Sequence, residues 1–132
     1  MQTTNTDSLK VVATNLQLFN VNIITKKINE QNIYEALKTI NLAPKPILVH
    51  CKHGADRTGA VIAFYRMVYQ YWSADKAIEE LIKGGHHFHK QYKNIIALIK
   101  NTDIYKLKRW LNVKNINKYK KLFKTDGKVY KV

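Results

Sequence analysis

The sequence predicts an α/β fold in which a parallel sheet is flanked by helices, and three observations support this prediction. Two apolar segments have the length of strands, residues 16–23 and 46–50. Between them, Ile33, Leu37 and Ile40 recur at the spacing of a helical face. A longer helical pattern follows the second segment. Because a strand, a helix and a strand in succession give two strands of the same direction, we expect a parallel pair.

The segment ahead of this unit predicts a helix. Leu9, Val12, Ala13 and Leu16 are spaced for one helical face. Asn15 can adopt the left-handed conformation that ends a helix. The sheet is therefore expected to begin at the strand that follows.

The elements around the second strand have recognisable boundaries. Asn29 can cap a helix that runs through Asn41, and Pro44 and Pro46 end it. The run 46–50 is short and apolar and begins with a proline, which is typical of a strand buried on both faces.

Residues 58–71 form the predicted central helix. Its apolar side chains recur at helical spacing, namely Val61, Phe64, Tyr65, Val68 and Tyr71. Ser73 can cap the next helix, and Gly84 with Gly85 can end it. The core face of that next helix is expected to consist of Ala77, Ile78, Leu81 and Ile82.

Two further helices complete the pattern. One is predicted over about 90–100, and another begins at Thr102 or Asp103 and ends near Val113.

The length and composition fit one compact domain. The chain has 132 residues, of which 45% are hydrophobic and 24% are charged, and these fractions are ordinary for globular proteins. We predict a single domain over residues 1–113, followed by a basic tail at 114–132 that is rich in Lys and Asn.

The formal net charge is +14, from 23 Lys and Arg against 9 Asp and Glu. Such a surplus attracts anions and favours phosphorylated, nucleic-acid or anionic-lipid partners without choosing among them. An ordinary basic surface is the alternative.

Cys51 is the single cysteine, which excludes an intramolecular disulfide and suits a reducing compartment. The first ten residues are polar and do not resemble a secretory signal. No apolar run approaches the about 20 residues that span a bilayer. We expect a cytoplasmic protein without an integral membrane segment, and secretion by a route without an N-terminal signal stays open.

Residues 50–59, His-Cys-Lys-His-Gly-Ala-Asp-Arg-Thr-Gly, carry the chemistry. They connect the buried strand to the central helix, so backbone N–H groups should converge at a helix N-terminus, where phosphate binds well. Gly54 permits the tight turn. The residues expected to contact the anion are Lys52, His53, Gly54, Ala55, Asp56 and Arg57.

Five residues of this segment have expected roles. The amides and the helix dipole stabilise a thiolate on Cys51, which makes it the candidate nucleophile. Arg57 can hold two phosphoryl oxygens with its planar guanidinium. Thr58 can donate its hydroxyl to the sulfur and stabilise it as a leaving group. His50 is expected to hydrogen-bond the loop backbone, and Gly59 to let the helix pack closely on the strand.

This segment resembles the His-Cys-x5-Arg-Ser/Thr signature of the protein tyrosine and dual-specificity phosphatase superfamily. Residues 47–75, with Gly84-Gly85, are similar to small bacterial members of the dual-specificity type. The resemblance covers about residues 16–100. It implies a phosphatase-like parallel sheet flanked by helices, and hydrolysis of phosphate monoesters through a phosphocysteine on Cys51. It implies neither a metal nor a cofactor.

The general acid is the first departure from the family. Members place an aspartic acid upstream of the cysteine to protonate the leaving oxygen, but residues 20–25 contain no acid. Glu30 lies near enough to a loop to be considered. Asp56 is favoured, because it precedes Arg57 as in the Cys-x4-Asp-Arg-Thr loops of myotubularin-like lipid phosphatases. The alternative is that Asp56 pairs with a nearby base or caps the helix.

The sheet is the second departure. Family members carry further strands ahead of the strand at 16–23, where this chain has at most fifteen residues. The N-terminal part of the sheet is therefore expected to be reduced or truncated. The long edges of a two-stranded sheet predict a homo-oligomer.

Lys52 and His53 add positive charge to the loop, which resembles the basic loops of phosphoinositide phosphatases. The expected substrates are phosphoproteins carrying phospho-Tyr, -Ser or -Thr, or an anionic phosphorylated small molecule or lipid headgroup. One alternative is a catalytically impaired module that binds phosphorylated ligands. Another is a rhodanese-like or arsenate-reducing thiol enzyme, which explains the Asp-Arg-Thr-Gly ending less well.

Two other groups of residues are expected to be structural. No Cys, Asp or Glu near His86, His87 and His89 completes a metal site, so this loop is expected to shape the active site. Residues 105–110 interleave bases with aromatic rings. We expect them to form a solvated face over an aromatic core rather than a nucleic-acid interface.

Overall fold

The computed structural model describes residues 8–13, 17–51, 56–84, 88–89 and 92–113. In this part of the chain, one sheet contains β1 (Ser8–Ala13), β2 (Gln17–Asn22) and β3 (Ile47–His50). The helices are α1 (Glu30–Leu42), α2 (Asp56–Tyr69), α3 (Ala74–Lys83), α4 (Lys93–Asn101) and α5 (Ile104–Trp110). A short 3₁₀ helix at Thr25–Lys27 lies between β2 and α1.

The sheet is antiparallel with strand order β2–β1–β3, so the predicted parallel sheet is wrong. The central strand β1 runs opposite to both neighbours and places Leu9 opposite Val21 and Val11 opposite Val49. β2 and β3 therefore point in the same direction, as the strand–helix–strand succession suggested. The prediction failed because it treated β2 and β3 as neighbours, whereas β1 lies between them.

The predicted N-terminal helix is a strand. Leu9, Val11 and Ala13 are at most 4% exposed, and Lys10 and Val12 between them are half-buried. This alternation has the period of a strand, and the two flanking strands supply hydrogen-bond partners that a short helix would not use. The sheet consequently has one more N-terminal strand than predicted.

The helix starts confirm the predicted caps. The side chain of Asn29 accepts a hydrogen bond from the Asn32 N–H at 2.9 Å, and the Asn32 side chain accepts one from the Asn29 N–H at 3.0 Å. Ser73 accepts a hydrogen bond from the Lys76 N–H at 3.1 Å and begins α3. Asp103, rather than Thr102, caps α5. These short polar side chains satisfy N–H groups that a helix leaves unpaired in its first turn.

α2 is the central helix, as predicted, and it contacts each of the other four helices and β3. Phe64, Val61 and Val68 are fully buried. Gly59 allows α3 to approach, because a Cβ atom at this position would lie 2.6 Å from Cδ1 of Leu81. The predicted close packing of Gly59 on the strand stays a prediction.

The sheet face opposite the helices carries an apolar row. Leu18, Val12 and Leu48 stand side by side across the three strands. Leu18 is 52% exposed and Leu48 is 62% exposed. The predicted self-association stays a prediction.

The predicted basic tail at 114–132 lies outside the described residues, and the division into a domain and a tail stays a prediction. Within the described ranges, no helix combines the length and the apolar character needed to cross a bilayer.

Candidate active site

Cys51 lies where β3 meets the loop that leads to α2. It follows His50, the last residue of β3, and is only 7% exposed. α2 begins at Asp56. The loop residues Lys52, His53, Gly54 and Ala55 lie outside the described residues, so their anion contacts stay predictions. A buried thiol thus precedes a helix N-terminus by one short loop, where the helix dipole favours a thiolate.

Arg57 extends from the first turn of α2 and is 7% exposed. Its Nη1 donates to the backbone carbonyl oxygen of Ile23 at 3.4 Å. Ile23 is fully buried and directly follows β2. The contact therefore connects the start of α2 with the residue that follows β2. A guanidinium beside first-turn amides combines two kinds of donor that bind the same anion.

Asp56 uses both carboxylate oxygens to bind His89. Oδ1 accepts a hydrogen bond from the His89 backbone N–H at 2.8 Å, and Oδ2 lies 2.7 Å from Nδ1 of the His89 ring. The Asp56 side chain is 11% exposed and the His89 side chain is 48% exposed. Of the two roles that the sequence left open for Asp56, pairing with a nearby base is present in the structure. Its role as an acid stays a prediction.

The backbone around His89 also holds this residue. Its carbonyl oxygen accepts a hydrogen bond from the Tyr92 N–H at 3.0 Å, and the two rings meet edge to face with centroids 6.3 Å apart. His86 and His87 lie outside the described residues. Among the residues that are described, no three His, Cys, Asp or Glu side chains lie close enough to hold a metal ion.

The Asp56–His89 pair is the feature that the sequence did not reveal. Both residues were singled out, Asp56 as an acid and His89 as part of a loop beside the site. They lie 33 positions apart, and no periodicity relates residues so far apart in the chain. Only the tertiary contact between the first turn of α2 and His89 brings them together.

Thr58 and His50 were predicted to support the loop. Oγ1 of Thr58 is buried and has no hydrogen-bond partner in the part of the chain that the structure describes. Buried hydroxyl groups usually have a partner, and donation of this one to the Cys51 sulfur stays a prediction. His50 ends β3 opposite Lys10. Its hydrogen bond to the loop backbone stays a prediction, because that loop is not described.

Glu30, the other candidate acid, takes part in an ion pair. Its carboxylate forms an ion pair with Lys106 of α5 at 3.1 Å. Glu30 is the first residue of α1, so the ion pair joins the start of α1 to α5. The contact gives Glu30 a structural role.

The bases and rings of α5 contact other rings of the protein. The ammonium group of Lys106 lies 4.6 Å from the centroid of Trp110, and that of Lys108 lies 4.4 Å from the centroid of Tyr71. Trp110 meets Tyr34 edge to face at 5.7 Å. Tyr105 and Trp110 are 71% and 42% exposed, and the expected solvated face over an aromatic core stays a prediction.

Comparison with known proteins identifies related sequences and a related fold. Residues 2–101 match the model of the dual specificity phosphatase catalytic domain. The crystal structure of Pseudomonas aeruginosa TpbA superimposes with a TM-score of 0.58 at 27% identity, covering 67% of this chain and 56% of that chain. The shared architecture is an α/β fold.

Two curated relatives illustrate the similarity. The dual specificity protein phosphatase TpbA of Pseudomonas aeruginosa (strain UCBPP-PA14) is 31% identical over 80 residues, which cover 59% of this chain and 37% of that relative. The inositol diphosphatase DSP5 of Arabidopsis thaliana is 30% identical over 112 residues, which cover 80% of this chain and 53% of that relative. The matched region therefore spans between about a third and about half of these relatives.

Proposed function

Because the chain belongs to the dual specificity phosphatase catalytic-domain family, we propose that it hydrolyses phosphate monoesters through a phosphocysteine intermediate on Cys51. The observation that carries this proposal is the junction of β3 with α2. At this junction a buried thiol and a buried guanidinium lie on either side of one short loop. The arrangement combines a nucleophile with donors for the oxygens of the group that it attacks.

The reaction would proceed in two steps. In the first step the sulfur of Cys51 attacks phosphorus, and the bond from phosphorus to the leaving oxygen breaks. In the second step water attacks the phosphocysteine, the sulfur leaves as a thiolate and inorganic phosphate is released. Arg57 and the first-turn amides of α2 would hold the equatorial oxygens, on which charge develops in each transition state.

Thr58 is the proposed stabiliser of the departing sulfur. Its buried Oγ1 has no partner within the described residues, which supports its donation to a sulfur or to a phosphoryl oxygen. Donation to the thiolate would assist the second step more than the first, because only there is the sulfur the leaving group.

The proposed substrates are phosphoproteins or phosphorylated inositol-type molecules. The named activities of the relatives, protein phosphatase and inositol diphosphatase, cover these two classes. The net charge of +14 favours either kind of anion. The predicted contacts of Lys52 and His53 would add charge beside the reacting phosphate and would favour the more highly phosphorylated substrate.

A direct test compares wild type with Cys51→Ser. Wild type should hydrolyse 4-nitrophenyl phosphate continuously, and a rapid acid quench should leave one phosphoryl group on Cys51, detected by mass spectrometry of the peptide. Cys51→Ser should lose about 10⁴-fold or more in kcat and should form no phosphoenzyme.

The matched control is Glu30→Gln, which alters an acid that the structure pairs with Lys106, and it should keep wild-type turnover. Absence of turnover by wild type would contradict the proposal. Binding of a phosphorylated ligand by that inactive protein would instead support the alternative of a phosphatase-like binding module.

A further inference from the structure

The family's usual acid is absent from residues 20–25. A different titratable group, the Asp56 carboxylate paired with the His89 ring, lies at the start of α2. Asp56 occupies the first helical position, directly before Arg57. Its two oxygens bind the backbone and the ring of His89 at 2.8 Å and 2.7 Å. The pair is therefore anchored to the same turn that carries the proposed phosphate clamp.

The contact turns Nδ1 of the His89 ring toward Oδ2 of Asp56 at 2.7 Å. An ionised carboxylate only accepts hydrogen bonds, so in the proposed arrangement Nδ1 is the donor. Nε2 is then the nitrogen that can gain or lose a proton. A carboxylate that fixes the tautomer and orientation of an imidazole is the arrangement by which hydrolases hold a histidine for proton transfer.

The exposed fractions of the Asp56 and His89 side chains indicate different roles for the two residues. The Asp56 side chain is 11% exposed, and both of its oxygens already accept hydrogen bonds. The His89 side chain is 48% exposed and can reach a substrate more readily. The edge-to-face contact with the Tyr92 ring and the hydrogen bond from the Tyr92 N–H to the His89 carbonyl oxygen hold His89 without enclosing it.

We propose that His89 is the general acid and base of the reaction and that Asp56 is the residue that positions it. This inference rests on the proposed function, because it assigns a proton donor to that same reaction. It also replaces the expectation that Asp56 itself donates the proton.

The proton transfers balance over the two steps. When the sulfur of Cys51 bonds to phosphorus, the phosphorus–oxygen bond to the alcohol breaks, and the proton on Nε2 moves to the departing oxygen. The neutral ring then takes a proton from the attacking water as the new phosphorus–oxygen bond forms and the phosphorus–sulfur bond breaks. The ring is again an imidazolium opposite the Asp56 carboxylate, and the thiolate of Cys51 is restored.

The experiment measures how each variant depends on the leaving group. Wild type, His89→Asn and Asp56→Asn are assayed with 4-nitrophenyl phosphate, whose leaving group needs little protonation, and with phenyl phosphate, whose leaving group needs much more. Asn at position 89 retains an N–H close to the position of Nδ1, so it can still bind Asp56, but it has no proton to transfer. Thermal unfolding of each variant verifies that it is folded.

His89→Asn should lower kcat for phenyl phosphate by about 10²-fold or more and kcat for 4-nitrophenyl phosphate by less than about tenfold. Asp56→Asn should show the same imbalance between the two substrates, because it disturbs the tautomer of the ring. Glu30→Gln, the matched control, should change neither rate.

Equal losses with both substrates in His89→Asn, or no loss with either, would overturn the assignment while leaving the phosphatase activity of wild type established. A selective loss in Asp56→Asn alone would return the acid role to Asp56. Failure of wild type to hydrolyse either ester would overturn the proposed function, and the assignment with it.

Discussion

Two arginines on the same helix show how similar burial can serve different purposes. Arg57 and Arg66 both belong to α2, and each is 7% exposed. Arg57 lies in the first turn and contacts a backbone carbonyl, that of Ile23. Arg66 lies in the last turn and faces a carboxylate on α3, that of Glu80.

The surroundings of Arg66 match its charge closely. Nε and Nη2 donate to the two oxygens of Glu80 at 2.9 Å and 2.6 Å, and Nη1 donates to Oε1 of Gln70 at 2.9 Å. The guanidinium also lies 4.2 Å from the ring centroid of Trp72. A cation in the last turn of a helix is favoured by the helix dipole. Arg66 therefore fastens α2 to α3.

Arg57 occupies the opposite electrostatic position. The helix dipole disfavours a cation in the first turn and favours an anion there. A phosphate group bound before α2 would meet both the dipole and the guanidinium. The comparison teaches that the burial of an arginine does not identify a site. Its position in the first turn of α2 is what supports the proposed role of Arg57.

The largest expected difference between the two arginines comes from making the same substitution at both positions. Arg57→Lys keeps the charge but loses the planar fork, so kcat for 4-nitrophenyl phosphate should fall by about 10²- to 10³-fold. Arg66→Lys should keep the turnover of wild type per folded molecule and should lower the free energy of unfolding instead. Steady-state kinetics and urea unfolding of the two variants separate these effects. Similar kinetics for both variants would remove the distinction between the two arginines.

Parts of the fold that depend on local chemistry were predictable. Asn29 and Ser73 were recognised as caps because the capping hydrogen bond joins residues three positions apart. The apolar pattern of α2 was also sufficient to predict a central buried helix. β1 was missed because Leu9, Val12, Ala13 and Leu16 fit a helical face, and the strand is decided by pairing with β2 and β3.

The candidate site, like the fold, has features that the sequence predicted and features that it did not. The strand, loop and helix around Cys51 are contiguous in sequence, so their order alone indicated an anion site. Three spatial relations were beyond the reach of the sequence, since each depends on tertiary packing. They are the Asp56–His89 pair, the Arg57–Ile23 contact and the approach of Leu81 to Gly59.

A second prediction tests whether Arg66 and Glu80 act as one structural unit. Glu80→Leu removes the carboxylate opposite a buried guanidinium and should lower the free energy of unfolding by about 3 kcal/mol. The double variant Arg66→Met/Glu80→Leu removes both charges and should recover at least half of that loss. Urea unfolding of the wild type, Arg66→Met, Glu80→Leu and the double variant gives the coupling energy. A change below about 0.5 kcal/mol in Glu80→Leu would mean that the pair behaves as an exposed one.

Substitution of Lys108 is expected to have the smallest effect. It extends the comparison of the two arginines to a buried cation that contacts aromatic rings. Lys108 is 9% exposed, and its ammonium group lies 4.4 Å and 5.6 Å from the ring centroids of Tyr71 and Tyr105. Within the described residues, no carboxylate lies within ion-pair distance of Lys108. Burial lowers the pKa of Lys108 below its ordinary value of 10.5, so the unfolded chain binds this proton more tightly than the folded protein does.

The stability cost of a charged Lys108 is therefore greatest at neutral pH and decreases as the pH rises toward 10.5. Lys108→Met should change the free energy of unfolding by no more than about 1 kcal/mol at pH 7, because removal of the buried charge is partly offset by loss of the ring contacts. The difference between variant and wild type should move in favour of wild type between pH 7 and pH 9.5, as measured by urea unfolding. No movement over this range would mean that the rings stabilise the ammonium group by at least as much as its burial costs. Lys108 would then belong with Arg66 as a cation matched by its surroundings.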